Sequence, residues 1–159
     1  MNKPRSDAEP RSLLLVDDDR LILATLSSGL MAAGYVVAEA ESVDEAEELL
    51  AGGLRPDLVL LDVRMPGRDG LELARRLAEF DRIPFLLLTA FGDREFVEQA
   101  NEVGALAYLV KPIDVPQLIP AVEAAIARAG EISELRETHR QLRQALDGDR
   151  QISVATGIV

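Results

Sequence analysis

Apolar residues along this chain fall into two patterns, short unbroken runs and longer stretches at helical spacing. Leu13-Leu14-Leu15-Val16, Leu58-Val59-Leu60-Leu61 and Pro84-Phe85-Leu86-Leu87-Leu88-Thr89 are unbroken runs. Runs of this length read as strands buried on both faces of a parallel sheet. Pro84 stands at the first position of its run, where a missing N–H is tolerated. Residues 35–38 and 106–110 add two weaker strands. Between the strands, Leu21, Ile22, Ala24, Thr25, Leu26, Leu30 and Met31 recur near helical spacing, and Gly34 closes that helix. Ser42 with Glu45 forms a capping-box signature, opening a helix through Ala46, Leu49 and Leu50 that stops at Gly52-Gly53. Leu71, Leu73, Ala74, Leu77 and Phe80 mark a third helix, residues around 94–103 a fourth ending at Gly104, and a last one begins near Val115.

Five strands alternating with five helices require parallel crossovers, so the pattern predicts an α/β, five-stranded, doubly wound parallel sheet with helices on both faces. The runs at Leu13, Leu58 and Leu86 are its central strands. Residues 1–11 mix charges with Pro4 and Pro10 and lack an apolar h-region, which predicts a disordered lead-in and not a signal peptide. The domain itself covers 12–129. In residues 130–159 the pattern changes: Ile132, Leu135, His139, Leu142 and Leu146 alternate at spacings of three and four, the seam of a C-terminal coiled-coil helix bracketed by Gly130 and Gly148. His139 reads as a packing or register residue on that seam.

Composition narrows the function classes. The chain has 159 residues, enough for one domain plus an appendage, and its 48% hydrophobic content is ordinary for a globular protein. No apolar run approaches the roughly 20 residues that span a bilayer. The absence of cysteine excludes disulfides and thiolate metal sites and fits a cytoplasmic location. A net charge of −11 argues against a nucleic-acid footprint over the whole surface, and a single histidine excludes a His-rich zinc site.

The chemistry gathers where the strands end. Asp17, Asp18 and Asp19 follow the first strand, Asp62 the third, Thr89 ends the fourth and Lys111 follows the fifth. In a parallel sheet these positions share one edge, the edge where ligands bind. Carboxylates packed together raise one another's pKa unless a cation holds them, and an oxygen-only cluster selects a hard divalent ion, Mg²⁺. Lys111 supplies an ammonium and Thr89 a hydroxyl, both suited to phosphoryl oxygens. Singly, each residue has a bland reading: Asp19 ahead of Leu21-Ile22 is a helix N-cap, Asp62 a turn residue, Thr89 a strand-ending cap and Lys111 a surface lysine. Together they point to phosphoryl transfer onto aspartate.

In order and spacing, Asp17-Asp18, Asp62-x-x-Met65-Pro66-x-x-x-Gly70, Thr89-Ala90 and Lys111-Pro112 resemble the receiver domain of two-component response regulators. The resemblance implies a flavodoxin-like fold and a signalling switch, not an enzyme. It implies that Asp62 accepts a phosphoryl group from a histidine kinase, and that Asp17, Asp18, Asp62 and the backbone carbonyl of Arg64 hold Mg²⁺. It further implies that Thr89 and Lys111 bind phosphoryl oxygens, that the Lys111-Pro112 bond is cis, and that Tyr108 is a switch residue turning inward on phosphorylation. Ala90 fits as the small residue that leaves the site accessible. Arg64 and Phe91 occupy positions that tune phosphoryl lifetime, and a bulky Phe91 that hinders water implies a long-lived phosphoryl group. The implied partners are a cognate histidine kinase and a second copy of the chain, paired through the coiled coil or through the last helix and fifth strand.

Gln141-Leu142-Arg143-Gln144-Ala145-Leu146, Arg150, Ile152 and Ala155-Thr156-Gly157-Ile158 resemble the opening of the ANTAR module, a helical RNA-binding unit of transcription antiterminators. Only its opening precedes Val159, so RNA is a partner only through an output module missing or truncated here. Two other functions share some of these residues. A haloacid-dehalogenase-like phosphohydrolase also uses an aspartate nucleophile, and Asp17-x-Asp19 mimics its D-x-D signature, but it needs a further acidic pair after a later strand. A phosphorylation-independent dimerising adaptor would have no use for Asp18, Asp62, Thr89 and Lys111 together.

Overall fold

The computed structural model describes residues 9–155 except Pro66, Asp69 and residues 91–93. Five strands, β1 (Ser12–Val16), β2 (Val36–Ala40), β3 (Leu58–Asp62), β4 (Phe85–Thr89) and β5 (Tyr108–Val110), form one parallel sheet in the order β2-β1-β3-β4-β5. The helices are α1 (Arg20–Ala32), α2 (Val43–Ala51), α3 (Gly70–Arg76), α4 (Arg94–Val103) and α5 (Val115–Ala155). The doubly wound architecture read from the sequence is the one observed, with β1, β3 and β4 at its centre.

Alternation along the strands explains why both faces are covered. Leu14, Val16, Val59, Leu61, Phe85 and Leu87 point to one side, where Ala46 and Leu50 of α2 and Leu73 and Ala74 of α3 pack on them. Leu13, Leu15, Leu58, Leu60, Leu86 and Leu88 point to the other, against Leu23, Leu26 and Leu30 of α1 and Leu118 and Val122 of α5. Successive strand residues face opposite ways, so an unbroken apolar run fills two cores at once.

Local signals set the ends. Asp19 caps α1 by accepting from the N–H groups of Leu21 and Ile22, and the Ser42 hydroxyl accepts from Glu45 N–H at the start of α2. Both helices end in a Schellman turn about a glycine at positive φ. Tyr35 N–H reaches Leu30 O past Gly34, and Leu54 N–H reaches Leu49 O past Gly53.

Several boundaries differ from the sequence reading. The second strand is shifted to Val36–Ala40, because Tyr35 is taken by the turn that ends α1. The fifth strand is shorter than 106–110, although Leu106 N–H still bonds Phe85 O and Ala107 O accepts from Leu87 N–H. The third helix gives way to a π-helical turn, Leu77–Asp81, and this rotates Phe80 out to 77% exposure, so it is not a core residue. Gly130 and Gly148 do not interrupt the last helix, which runs through both. A lone glycine costs about 1 kcal/mol in a helix interior, which a long helix absorbs.

The chain divides into two compact units, the first ending at Ile126 and the second beginning at Ala127. In the second, Leu135, Leu142 and Leu146 are exposed and Ile132 is half-buried. Among the described residues, no helix is long and apolar enough to cross a membrane.

Gly70 opens α3 with no room for a side chain, since a Cβ there would lie 2.5 Å from the backbone oxygen of Asp62. Gly70→Ala is expected to lower stability by about 1–3 kcal/mol, read as a lower urea midpoint at unchanged slope.

Candidate functional site

Parallel pairing in register brings the carboxyl ends of β1, β3 and β4 to one edge. Val16 pairs with Leu61 and Asp62 with Leu88, which leaves Asp17, Asp62 and Thr89 on adjacent strands at that edge. Asp17, Asp18 and Asp62 each offer a carboxylate oxygen, and these atoms all lie within 4.8 Å of one another. Asp17 is fully buried, Asp62 is 5% exposed, and Asp18 stands open at the rim.

Lys111 crosses this cluster from the end of β5. Its Nζ lies 2.8 Å from Asp17 Oδ2 and 3.4 Å from Asp62 Oδ2. Its backbone N–H donates to Thr89 O at 2.7 Å, which fixes the lysine to the end of β4. The Lys111-Pro112 bond is cis. Asp19 N–H donates to the other Asp17 oxygen at 2.9 Å, and Arg64 N–H approaches Asp62 Oδ1 at 3.4 Å. Thr89 is buried, with its hydroxyl donating to Ala90 O at 3.3 Å. Asp17, Asp18, Asp62, Thr89 and Lys111 are therefore brought to one edge. Tyr108 lies apart from them, half exposed on β5. Phe91, Pro66 and the end of the ANTAR likeness at 156–158 lie outside the described residues.

Burial is closer than the sequence suggested. Asp62 stands at the end of β3 as expected, but only 7% of its side-chain surface remains open. Its acid strength follows: burial first, and the Asp17 charge second, push the Asp62 carboxyl up to about 7 against the pull of Lys111 and of the Arg64 N–H. Burial works against the charge on Lys111. Its hydrogen bond to Asp17 and the fields of Asp62 and Asp17 outweigh that, and its pKa is raised.

A hard cation fits this donor set. It consists of carboxylate oxygens without a sulfur or imidazole, and it is closed enough that the Asp62 charge needs compensation. Asp19, the second acid of the D-x-D pattern, caps α1 through its Oδ1.

Sequence reading missed Arg68. Its guanidinium joins Asp44 and Glu47 of α2 to Glu72 of α3. The spacing of Arg68 to Glu72 was a visible helical pair, while the α2 partners carry no sequence signal.

The response regulator receiver domain family matches residues 13–123, and the chain belongs to it. The transcriptional regulatory protein PdtaR of Mycobacterium tuberculosis is 40% identical over 163 aligned positions, covering 100% of this chain and 79% of that protein. The phosphate regulon transcriptional regulatory protein PhoB of Pseudomonas aeruginosa is 37% identical over 123 positions, covering 76% of this chain and 53% of PhoB, so the chain spans about half of that relative. Among solved structures, the signal receiver domain of a modulated diguanylate cyclase from Desulfovibrio desulfuricans is 35% identical with a TM-score of 0.70, covering 77% of this chain and 98% of that one.

The raised Asp62 pKa sets a pH dependence. Between the ordinary carboxylate range and about 7, the folded chain keeps a proton on Asp62 that the unfolded chain has released. Stability from that proton is full below the unfolded pKa and is lost as pH rises through the folded one. In EDTA, the thermal midpoint of the parent is expected to fall relative to Asp62→Asn between about pH 5 and about pH 8.

Proposed function

We propose that this response regulator is a switch in which Asp62 accepts a phosphoryl group from a histidine kinase in a Mg²⁺-dependent reaction. One observation carries the reading: Asp17, Asp18 and Asp62 converge within 4.8 Å while Lys111 reaches two of them. Asp17, Asp18, Asp62 and the Arg64 carbonyl would hold the ion. Bound there, Mg²⁺ would neutralise charge on the carboxylates and on the incoming phosphoryl oxygens.

The remaining work belongs to side chains. The ionised Asp62 carboxylate attacks phosphorus, an O–P bond forms, and the P–N bond to the kinase histidine breaks with its electron pair returning to the imidazole. Lys111 turns its ammonium from Asp17 and Asp62 toward the phosphoryl oxygens. Thr89 exchanges its bond to Ala90 O for one to the same group. Phosphorylation adds nearly two negative charges at the sheet edge, and the movement of Thr89 draws Tyr108 inward. The chain modifies itself and transmits a state.

The output is read as control of transcription, supported by the names of PdtaR and PhoB, with an RNA-binding antitermination module supported by the ANTAR likeness alone. Pairing with a second copy is supported by exposed Leu135, Leu142 and Leu146 on one seam of α5. Ile132, His139 and Leu146 fall at one heptad position and Leu135 and Leu142 at the other.

Acetyl phosphate with Mg²⁺ is expected to add one phosphoryl group to the parent and none to Asp62→Asn, by intact-mass measurement. Incorporation in Asp62→Asn would overturn the site. Sedimentation with and without beryllofluoride and Mg²⁺ is expected to show a dimer that Leu135→Asp/Leu142→Asp reduces to monomer. A parent monomeric in both states would overturn the pairing.

A further inference from the structure

The loop that leaves Asp62 is held from outside the site. Gly70 N–H donates to Val63 O at 2.9 Å, folding the loop back on β3, and Arg64 N–H lies 3.4 Å from Asp62 Oδ1. Between these points Arg68 turns away from the site toward α2. Its two terminal nitrogens fork onto the two oxygens of Glu47, Nη1 also meets Asp44 Oδ1 at 2.9 Å, and Nε meets Glu72 Oε2 at 2.6 Å. Asp44 and Glu47 are one turn apart on α2 and Glu72 is in the first turn of α3. Glu47 is further approached by Arg76 at 3.9 Å, and Arg76 bonds the buried Asp81 at 3.0 Å.

We infer that Arg68 is a positioning residue for the acceptor site, a guanidinium clamp that ties the Asp62–Gly70 loop to α2 and so fixes the Arg64 backbone beside the Asp62 carboxylate. An isolated exposed ion pair does little. A planar fork shared by three carboxylates on two elements instead restricts direction as well as distance, which an ammonium cannot reproduce. The Arg64 N–H contact is long, and Met65 is buried in one apolar cluster with Val43 and Ala46 of α2, so the Arg68 fork adds direction to a loop that apolar contact already holds against α2. This inference rests on the reading of Asp62, Asp17 and Asp18 as the cation and phosphoryl site.

The test uses the full chain with Arg68→Met, Arg68→Lys and Glu47→Gln, and Arg140→Gln on α5 as a control. Three quantities are read well below the thermal midpoint: the Mg²⁺ dissociation constant by calorimetry, the rate of phosphorylation by acetyl phosphate, and amide exchange at Val63 and Arg64 without metal. Outer groups that orient ligands typically change metal affinity by about tenfold or more when removed. Arg68→Met is accordingly expected to weaken Mg²⁺ about tenfold, slow phosphorylation and speed Arg64 amide exchange, with Arg68→Lys intermediate and Glu47→Gln in the same direction. A cluster that only stabilises the α2–α3 contact would lower the thermal midpoint and leave all three within about twofold of the parent, which overturns the inference. Should Arg68→Met fail to fold, Glu47→Gln decides by the same readings. Incorporation in Asp62→Asn, or no Mg²⁺ binding by the parent, would instead sink the underlying site, whereas unchanged Arg68 variants beside an inert Asp62→Asn would sink the clamp alone.

Discussion

Buried carboxylates that repel one another set the terms for this protein. Two unit charges about 4 Å apart interact by about 4 kcal/mol at the effective dielectric of a protein site. Asp17 and Asp62 are both withdrawn from water at the same sheet edge, so the arrangement holds only with positive charge beside it. Lys111 supplies one charge; burial first and the Asp17 charge second push the Asp62 carboxyl up to about 7, so a proton there relieves the rest. A divalent ion would relieve the same repulsion without the proton.

The rest of the fold serves to keep that edge in place. Two apolar layers, one on each side of the sheet, are filled by alternate residues of the same three central strands. Slipping any of them by one residue would reverse its side chains and move its terminal acid, so the packing that stabilises the sheet also fixes the site. The Lys111 backbone is tied to Thr89, and Gly70 is pressed against Asp62, so both flanking loops are anchored to strand ends rather than only to each other.

Charge is treated differently on the α2–α3 side and in the second unit. Around Arg68, Asp44, Glu47 and Glu72 converge from two helices on one guanidinium. Beyond Ile126, Arg140 pairs with Glu137 three residues apart, and Leu135, Leu142 and Leu146 stay in solvent.

The sequence by itself determined the alternation of strands and helices, the three central strands, the caps at Asp19 and Ser42, and the convergence of Asp17, Asp18, Asp62, Thr89 and Lys111. Each of these depends on periodicity, local hydrogen bonding or the polarity of a parallel sheet, which are properties of neighbours in sequence. Only the tertiary structure decided that Asp62 is nearly closed to solvent, that Phe80 is turned outward by a π-helical turn, that the last helix passes through Gly130, and that Arg68 is gripped from α2. Depth of burial and pairing across some twenty residues arise from how elements stack, and no local pattern of residues encodes the distance between two helices.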